Sequence, residues 1–337
     1  MKIFLRTGCL AIALVFFALT LVSCSGTTVT PPDIQPNVPP VTTTEKKPVP
    51  CKVSFANTNN APMTVLEGEL LQSPESPSLN ERIFAGWYTD SGFASKASFP
   101  LEIKKDTTLY AKFYTYEEAF KEARENTIGA SVAGYEYTYD TNLTVSYSFL
   151  SLSGSTNGKA IYSTAGDVSF YDEHKNSGAL FADGTKYQIR RGSTLRKVSE
   201  DKKGKINSDE TEQVDSSYKF DSSSFAKALF SYSDEKLLSV SPTGIPNEYR
   251  LQTSFNASSA IALLGNNLNH PKIEEAIAKL PETAVDTGMY VTFDDGKIKS
   301  YRYEMKINSA GVQLNLIYSL KFDKVGMAQN IVPKSFS

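Results

Sequence analysis

The sequence predicts an α+β chain, mostly antiparallel β, built in two parts. Three observations carry this. Tyr (18) and Phe (19) are plentiful among Thr- and Val-containing segments, a composition that favours strands. Apolar and polar residues alternate along much of the chain, punctuated by Asn-Gly, Asp-Gly and Ala-Gly turn signals. Helical periodicity is confined to short stretches around 115–126 and 221–280. An antiparallel sheet with helices on one face is the economical way to bury such a pattern.

The chain opens with Lys2 and Arg6 before an apolar run from Cys9 to Val22, the layout of a secretory signal and too short for a comfortable membrane span. The run closes on Leu21-Val22-Ser23-Cys24. A small residue before a cysteine, with Leu three places upstream, resembles the bacterial lipoprotein lipobox. That resemblance implies a signal peptide at 1–23, diacylglycerol on the Cys24 thiol, and a mature chain beginning at Cys24. Such a chain is held on the extracytoplasmic side of a membrane in the bacterial cell envelope. Two acyl chains suffice for stable anchoring where one does not. The alternative is an ordinary signal peptide with an incidental cysteine.

From Cys24 onward, 314 residues carry 33 basic and 37 acidic side chains. No positive excess recruits nucleic acid. With Cys9 in the signal and Cys24 acylated, Cys51 is the last thiol, so no intramolecular disulfide forms. At the start of a strand, Cys51 is read as packed, with a reactive thiol as the alternative. Residues 24–50 read as a tether that begins at the cysteine for which the resemblance implies lipidation. Ser25 to Pro50 holds seven prolines and six threonines and almost nothing large and apolar to offset chain entropy. Such segments stay extended at roughly 3 Å per residue.

Residues 51–114 read as a small β domain. Strands are expected at Cys51–Phe55, around Met63–Leu66, from Ile83, and at Thr107–Phe113, with turns at Asn57–Ala61 and Gly68 and a loop at Ser73–Ser78. Two phrases stand at a characteristic separation: Phe84-Ala85-Gly86-Trp87-Tyr88-Thr89-Asp90 and Asp106-Thr107-Thr108-Leu109-Tyr110-Ala111-Lys112-Phe113. Together with Glu67-Gly68-Glu69 they resemble the Listeria–Bacteroides, or internalin B-type, repeat. The resemblance implies a β-grasp-like fold, occurrence in bacterial surface proteins and no catalytic role. Asn57-Thr58-Asn59-Asn60 lacks the family's usual glycines, but Asn tolerates positive φ. Trp87, the single tryptophan, is read as core, with a ligand platform as the alternative.

Residues 115–337 form the larger domain. Thr115-Tyr116-Glu117-Glu118 is a capping box opening a helix to about Asn126 that buries Ala119, Phe120 and Ala123. Strands are expected at Tyr135–Tyr139, Leu143–Leu152, Lys159–Thr164, Val168–Tyr171, Ala179–Ala182, Lys186–Arg191 and Thr194–Val198. Asn157-Gly158 and Asp183-Gly184 are expected hairpin turns, and Glu200–Val214 an exposed loop. Helical signals return at Asp221 with Phe225–Phe230, at Ser258–Leu264 and at Pro271–Leu280. The chain closes on strands Gly288–Phe293, Lys297–Ile307 and Val312–Phe322, turning at Asp295-Gly296 and Ala310-Gly311. This order, with Asp294-Asp295-Gly296-Lys297-Ile298 and Ile331-Val332-Pro333, is similar to the LolA/LppX-like lipoproteins. That similarity implies an incomplete β-barrel, a curved antiparallel sheet with helices on its concave face, enclosing an apolar cavity for acyl chains.

Residues suited to catalysis are sparse. His174 and His270 stand in polar, turn-like contexts without metal-ligand spacing, so no metal is expected. A Ser–His–Asp triad stays open as an arrangement, but no Gly-x-Ser-x-Gly elbow or Gly-rich phosphate loop is present. Asp294-Asp295 reads as a turn, and Glu274-Glu275 and Lys202-Lys203-Gly204-Lys205 as solvated surface. No cofactor and no catalytic residue are expected. The apolar helical residues Ile261, Leu264 and Leu268, with Phe225, Leu229, Phe230, Ile273 and Ile277, read either as ordinary packing or as the wall of a lipid site. The expected function is a non-enzymatic, membrane-anchored surface lipoprotein binding a lipid or other apolar ligand. The alternative is a surface interaction or adhesion protein with a filled core and a protein partner.

Overall fold

The computed structural model describes residues 47–215, 226, 230, 237–254, 271, 275, 279, 285–309 and 311–336. The elements below all lie in one compact unit, Pro48–Ser337. The expected Cys24 site lies outside the described residues.

The first six strands are β1 (Pro50–Ala56), β2 (Met63–Leu66), β3 (Leu70–Leu71), β4 (Ile83–Tyr88), β5 (Leu101–Glu102) and β6 (Thr107–Tyr114). Four of them form a sheet in the order β2-β1-β6-β4, and β3 pairs with β5. At the centre β1 runs parallel to β6, from Val53 opposite Thr107 to Ala56 opposite Tyr110. The period-two pattern drives this layer: Cys51 and Val53 of β1 meet Leu109 and Ala111 of β6 in one core with Val65, Leu71 and Ile103. Trp87 stands in that core, its ring 5.1 Å from Phe55 and 5.4 Å from Phe84. The expected turn residue Asn57 has φ +62°, and Cys51 is buried.

Helix α1 (Tyr116–Ile128) begins on the expected capping box. Glu118 N–H donates to Thr115 Oγ1 at 3.1 Å, and Thr115 N–H donates to Glu118 Oε2 at 2.8 Å. Its buried side, Ala119, Phe120, Ala123 and Ile128, joins the larger core.

The rest is one antiparallel sheet. Its strands are β7 (Gly134–Tyr147), β8 (Leu150–Ser163), β9 (Val168–Gly178), β10 (Gly184–Arg191), β11 (Thr194–Glu200), β12 (Ile206–Gln213), β13 (Leu237–Pro242), β14 (Glu248–Thr253), β15 (Val285–Asp294), β16 (Lys297–Ser309) and β17 (Val312–Val325). They lie in the order β12-β11-β10-β9-β8-β7-β17-β16-β15-β14-β13. Two meanders thus join where β17 pairs with β7, and β12 and β13 are left as edges of a curled, incomplete barrel. The fold class is the expected α+β with an antiparallel half-barrel. The closing strands alternate as expected: Tyr301, Tyr303, Met305 and Ile307 of β16 are buried with Leu314, Leu316, Tyr318, Leu320 and Phe322 of β17. At the β15–β16 turn Asp295 and Gly296 have φ +48° and +63°, the left-handed pair of a tight hairpin.

Four expectations are corrected. The stretch Leu143–Leu152 is not one strand; it turns at Ser148, φ +57°, between β7 and β8. Asn157-Gly158 is not a turn but the interior of β8, paired with Asp140 and Tyr139 on one side and Lys175 and His174 on the other. A Cβ at Gly158 would lie 2.2 Å from Tyr139 Cζ, so this glycine serves close approach rather than chain reversal. Ala179–Ala182 is loop, and it still buries Leu180 and Phe181. Within Glu200–Val214 runs the edge strand β12, whose Asp209 and Glu212 pair with Arg196 and Lys197 of β11. Strands β13 and β14 were not among the expected elements.

Candidate ligand-binding faces

The period-two alternation gives the large sheet two chemically distinct faces. The helix-bearing face is aromatic and aliphatic, and α1 is fastened to it by polar contacts as well as packing. Thr127 Oγ1 donates to Ala123 O at 2.6 Å and accepts from Ile298 N–H at 2.8 Å. Asn126 Nδ2 donates to Gly296 O at 3.0 Å, and Val240 N–H donates to Glu117 Oε1 at 3.2 Å.

Of the eight expected ligand-wall residues, Phe230 is described. It is helical, 2% exposed, and its ring lies 5.4 Å from Tyr301, 6.0 Å from Phe322 and 6.4 Å from Tyr137. Arg124 Nη2 donates to its carbonyl at 3.0 Å. The side chains of Phe225, Leu229, Ile261, Leu264, Leu268, Ile273 and Ile277 lie outside the described residues.

The same face carries a polar group that the sequence reading did not assemble. Tyr139 OH donates to Asp172 Oδ1 at 2.7 Å, and His174 Nδ1 lies 2.8 Å from Asp172 Oδ2. Burial, then the Asp172 charge, pushes the Tyr139 pKa well up, so the phenol keeps its proton and donates it. His174 is therefore on β9, not in a turn. Asp172 and His174 share a face because they are two apart on a strand. The expected strand stopped at Tyr171, which hid the pair. Among the described residues no three His, Cys, Asp or Glu side chains are grouped to hold a metal.

The opposite face mixes polar residues with a smaller apolar cluster, and two features occupy it. Over β8–β11 runs the C-terminal segment. Gln329 N–H donates to Ser163 Oγ at 2.9 Å, Ile331 is buried against Tyr171 and Val198, and Lys334 Nζ reaches Glu200 Oε2 at 2.7 Å and Tyr187 OH at 3.0 Å. The Glu200 carboxylate and the Tyr187 hydroxyl hold the Lys334 pKa above its usual value. Nearby Glu136 is buried, which raises its pKa, but bonds from Lys159, Lys324 and Gln329 outweigh this and bring it below the ordinary value.

Beyond that segment an open cleft of about 690 Å³ crosses β7, β17, β16 and β15, lined by Thr138, Asp140, Ser319, Ser300, Arg302 and Tyr290 among others. Arg302 donates to Glu248 Oε2 at 3.1 Å and to Glu304, and its guanidinium lies 4.3 Å over the Tyr290 ring. Burial opposes the charge of Arg302, and the two carboxylates more than offset it, so its pKa is raised. A bulge at Lys299, opposite Thr292 and Phe293, turns that lysine towards the same cleft.

Just after β4 of the small sheet, Asp90 accepts backbone N–H bonds from Gly92, Ala94 and Ser95 at 3.0, 3.1 and 2.7 Å. These hold its pKa low and make it the organiser of its loop.

No curated protein sequence matches the chain. Among solved structures, lipovitellin, reported under the heading of lipid–protein interactions, aligns over 60% of this chain at 10% identity and a TM-score of 0.25. The chain spans 26% of the lipovitellin chain. A LolA superfamily protein from Nitrosomonas europaea aligns over 65% of this chain and 96% of its own, at 6% identity and a TM-score of 0.25. Both alignments are too loose to carry a function across. The sequence match is narrower and firmer: residues 52–112 match the Listeria–Bacteroides repeat domain.

Proposed function

We propose that the chain is a non-enzymatic surface lipoprotein of the bacterial cell envelope, anchored through diacylglycerol on Cys24. Its large domain takes a lipid or other apolar ligand between the aromatic sheet face and the helical residues over it. The observation that carries this reading is the reach of that face beyond α1. The 13 residues of α1 span about 20 Å, whereas the 14 residues of β7 or β17 span about 45 Å. Beside the helix, the rings of Tyr137, Tyr301 and Phe322 are met by Phe230, which is a ring contact that an acyl chain replaces without loss of apolar burial.

One observation favours the second reading, a surface interaction protein with a filled core. Phe120, Met305 and Leu316 are 0% exposed and Tyr301 and Tyr303 1%, so these side chains are already covered by protein. A ligand on that face has to displace the cover.

The two readings separate by mass spectrometry of organic extracts from the chain purified from residue 24 onward with Cys24→Ser. A stoichiometric co-purified lipid supports the first. A lipid-free protein that takes up none from mixed vesicles overturns it and leaves the second. The anchor is tested apart: the native chain should fractionate with membranes and carry a diacylglyceryl mass on Cys24, and Cys24→Ser should release it.

A further inference from the structure

At one end of the large sheet two neighbouring runs carry no charged residue. Residues 141–158, which include the β7–β8 hairpin, and residues 307–320, which include the β16–β17 hairpin, contain no Asp, Glu, Lys or Arg in a chain that is 21% charged. The fold places these two runs side by side, because Tyr147 pairs with Leu150 in β8 and with Val312 in β17, and Val312 pairs with Ser309 in β16. At the tip Phe149 is 101% exposed and Tyr147 42%. Among the described residues Lys279 stands within electrostatic reach of Tyr147, and it is itself paired to Glu275 at 2.6 Å.

We propose that this hairpin end docks on a lipid bilayer, with Phe149 inserted into the headgroup–acyl boundary and Tyr147 at its rim. A protein partner fits poorly: one exposed aromatic ring offers on the order of 200 Å², against about 1,200 Å² for a stable protein contact. A bilayer needs no matching pocket and accepts a convex apolar tip to a depth of about 5–10 Å. The hairpin backbone arrives with its ladder bonds already made, and Ser146, Ser148 and Ser151 supply hydroxyls at headgroup level. One such tip binds weakly alone, so the inference rests on the anchored reading for its second attachment.

Trp87 is the single tryptophan and is buried, so Phe149→Trp adds one exposed reporter. The chain from residue 24, with Cys24→Ser and an N-terminal hexahistidine, is held on phosphatidylcholine vesicles containing a nickel-chelating lipid. Val332→Trp, at a site 88% exposed elsewhere, serves as control. The proposal expects a blue-shifted emission for Phe149→Trp and quenching by brominated phosphatidylcholine at least about two-fold stronger than for the control. Equal emission and equal quenching of the two variants on these vesicles overturn it. Because the histidine tag supplies the attachment, that failure is distinct from failure of Cys24 acylation or of the interior ligand.

Discussion

Gly158 shows how much one missing methyl group decides. Its Cα faces the Tyr139 ring, and that ring in turn holds Asp172, which holds His174. Gly158→Ala should displace Tyr139, lower stability by about 1–3 kcal/mol, and change the near-ultraviolet tyrosine signal; an unchanged urea midpoint would refute this. Glu136 makes a prediction in pH. Its folded pKa lies below the ordinary 4.5, so its contribution is complete above that value and is lost as pH falls through the folded pKa. Between about pH 7 and pH 3 the native protein should lose stability more steeply than Glu136→Gln, measured by denaturant midpoints across that range. The Tyr139–Asp172–His174 group was illegible in sequence for a physical reason. Its members sit 33 and 2 residues apart, and only the β7–β8–β9 register brings them together.

Helix α1 was legible because its signals are local. Thr115 and Glu118 satisfy each other's backbone within one turn, and Ala119, Phe120 and Ala123 share a face whatever the rest of the chain does. Its docking was not legible, since Thr127 bonds Ile298 N–H across 171 residues. Thr127→Val keeps the shape and leaves that buried N–H unpaired, which should cost about 1–3 kcal/mol; Thr127→Ser should recover most of it. Equal melting of the valine and serine variants would contradict this. Strand β12 was misread because edge strands carry charge to discourage pairing with other chains, and charge is also what marks a loop. Asn157-Gly158 was misread because the same dipeptide serves a turn or a close approach, and sequence supplies no neighbour to choose between them.

Across the whole molecule, the split between a filled, aromatic face and a second face with an open cleft and a smaller apolar cluster follows from period-two alternation in strands of up to 14 residues. That alternation made the antiparallel sheet readable even where turns were misplaced, whereas its closure into a half-barrel was an implication of the resemblance. Phe230 tests the cover at this scale. Its truncation to Ala should cost about 3–5 kcal/mol if the ring is packed core; a much smaller loss, accompanied by faster lipid uptake from vesicles, would place it in a displaceable lid. The small sheet adds a mechanical consequence. Chain enters it at Pro50, at the start of β1, and leaves at Tyr114, at the end of β6, and these two strands are parallel neighbours. Opposed tension on those two points slides one strand along the other and strains all the bonds between them at once, whereas a hairpin pulled from its open end parts one bond at a time. A molecule tethered at its N-terminal side and dragged by its far end, as a surface protein is in flow, would therefore carry the load across its strongest seam.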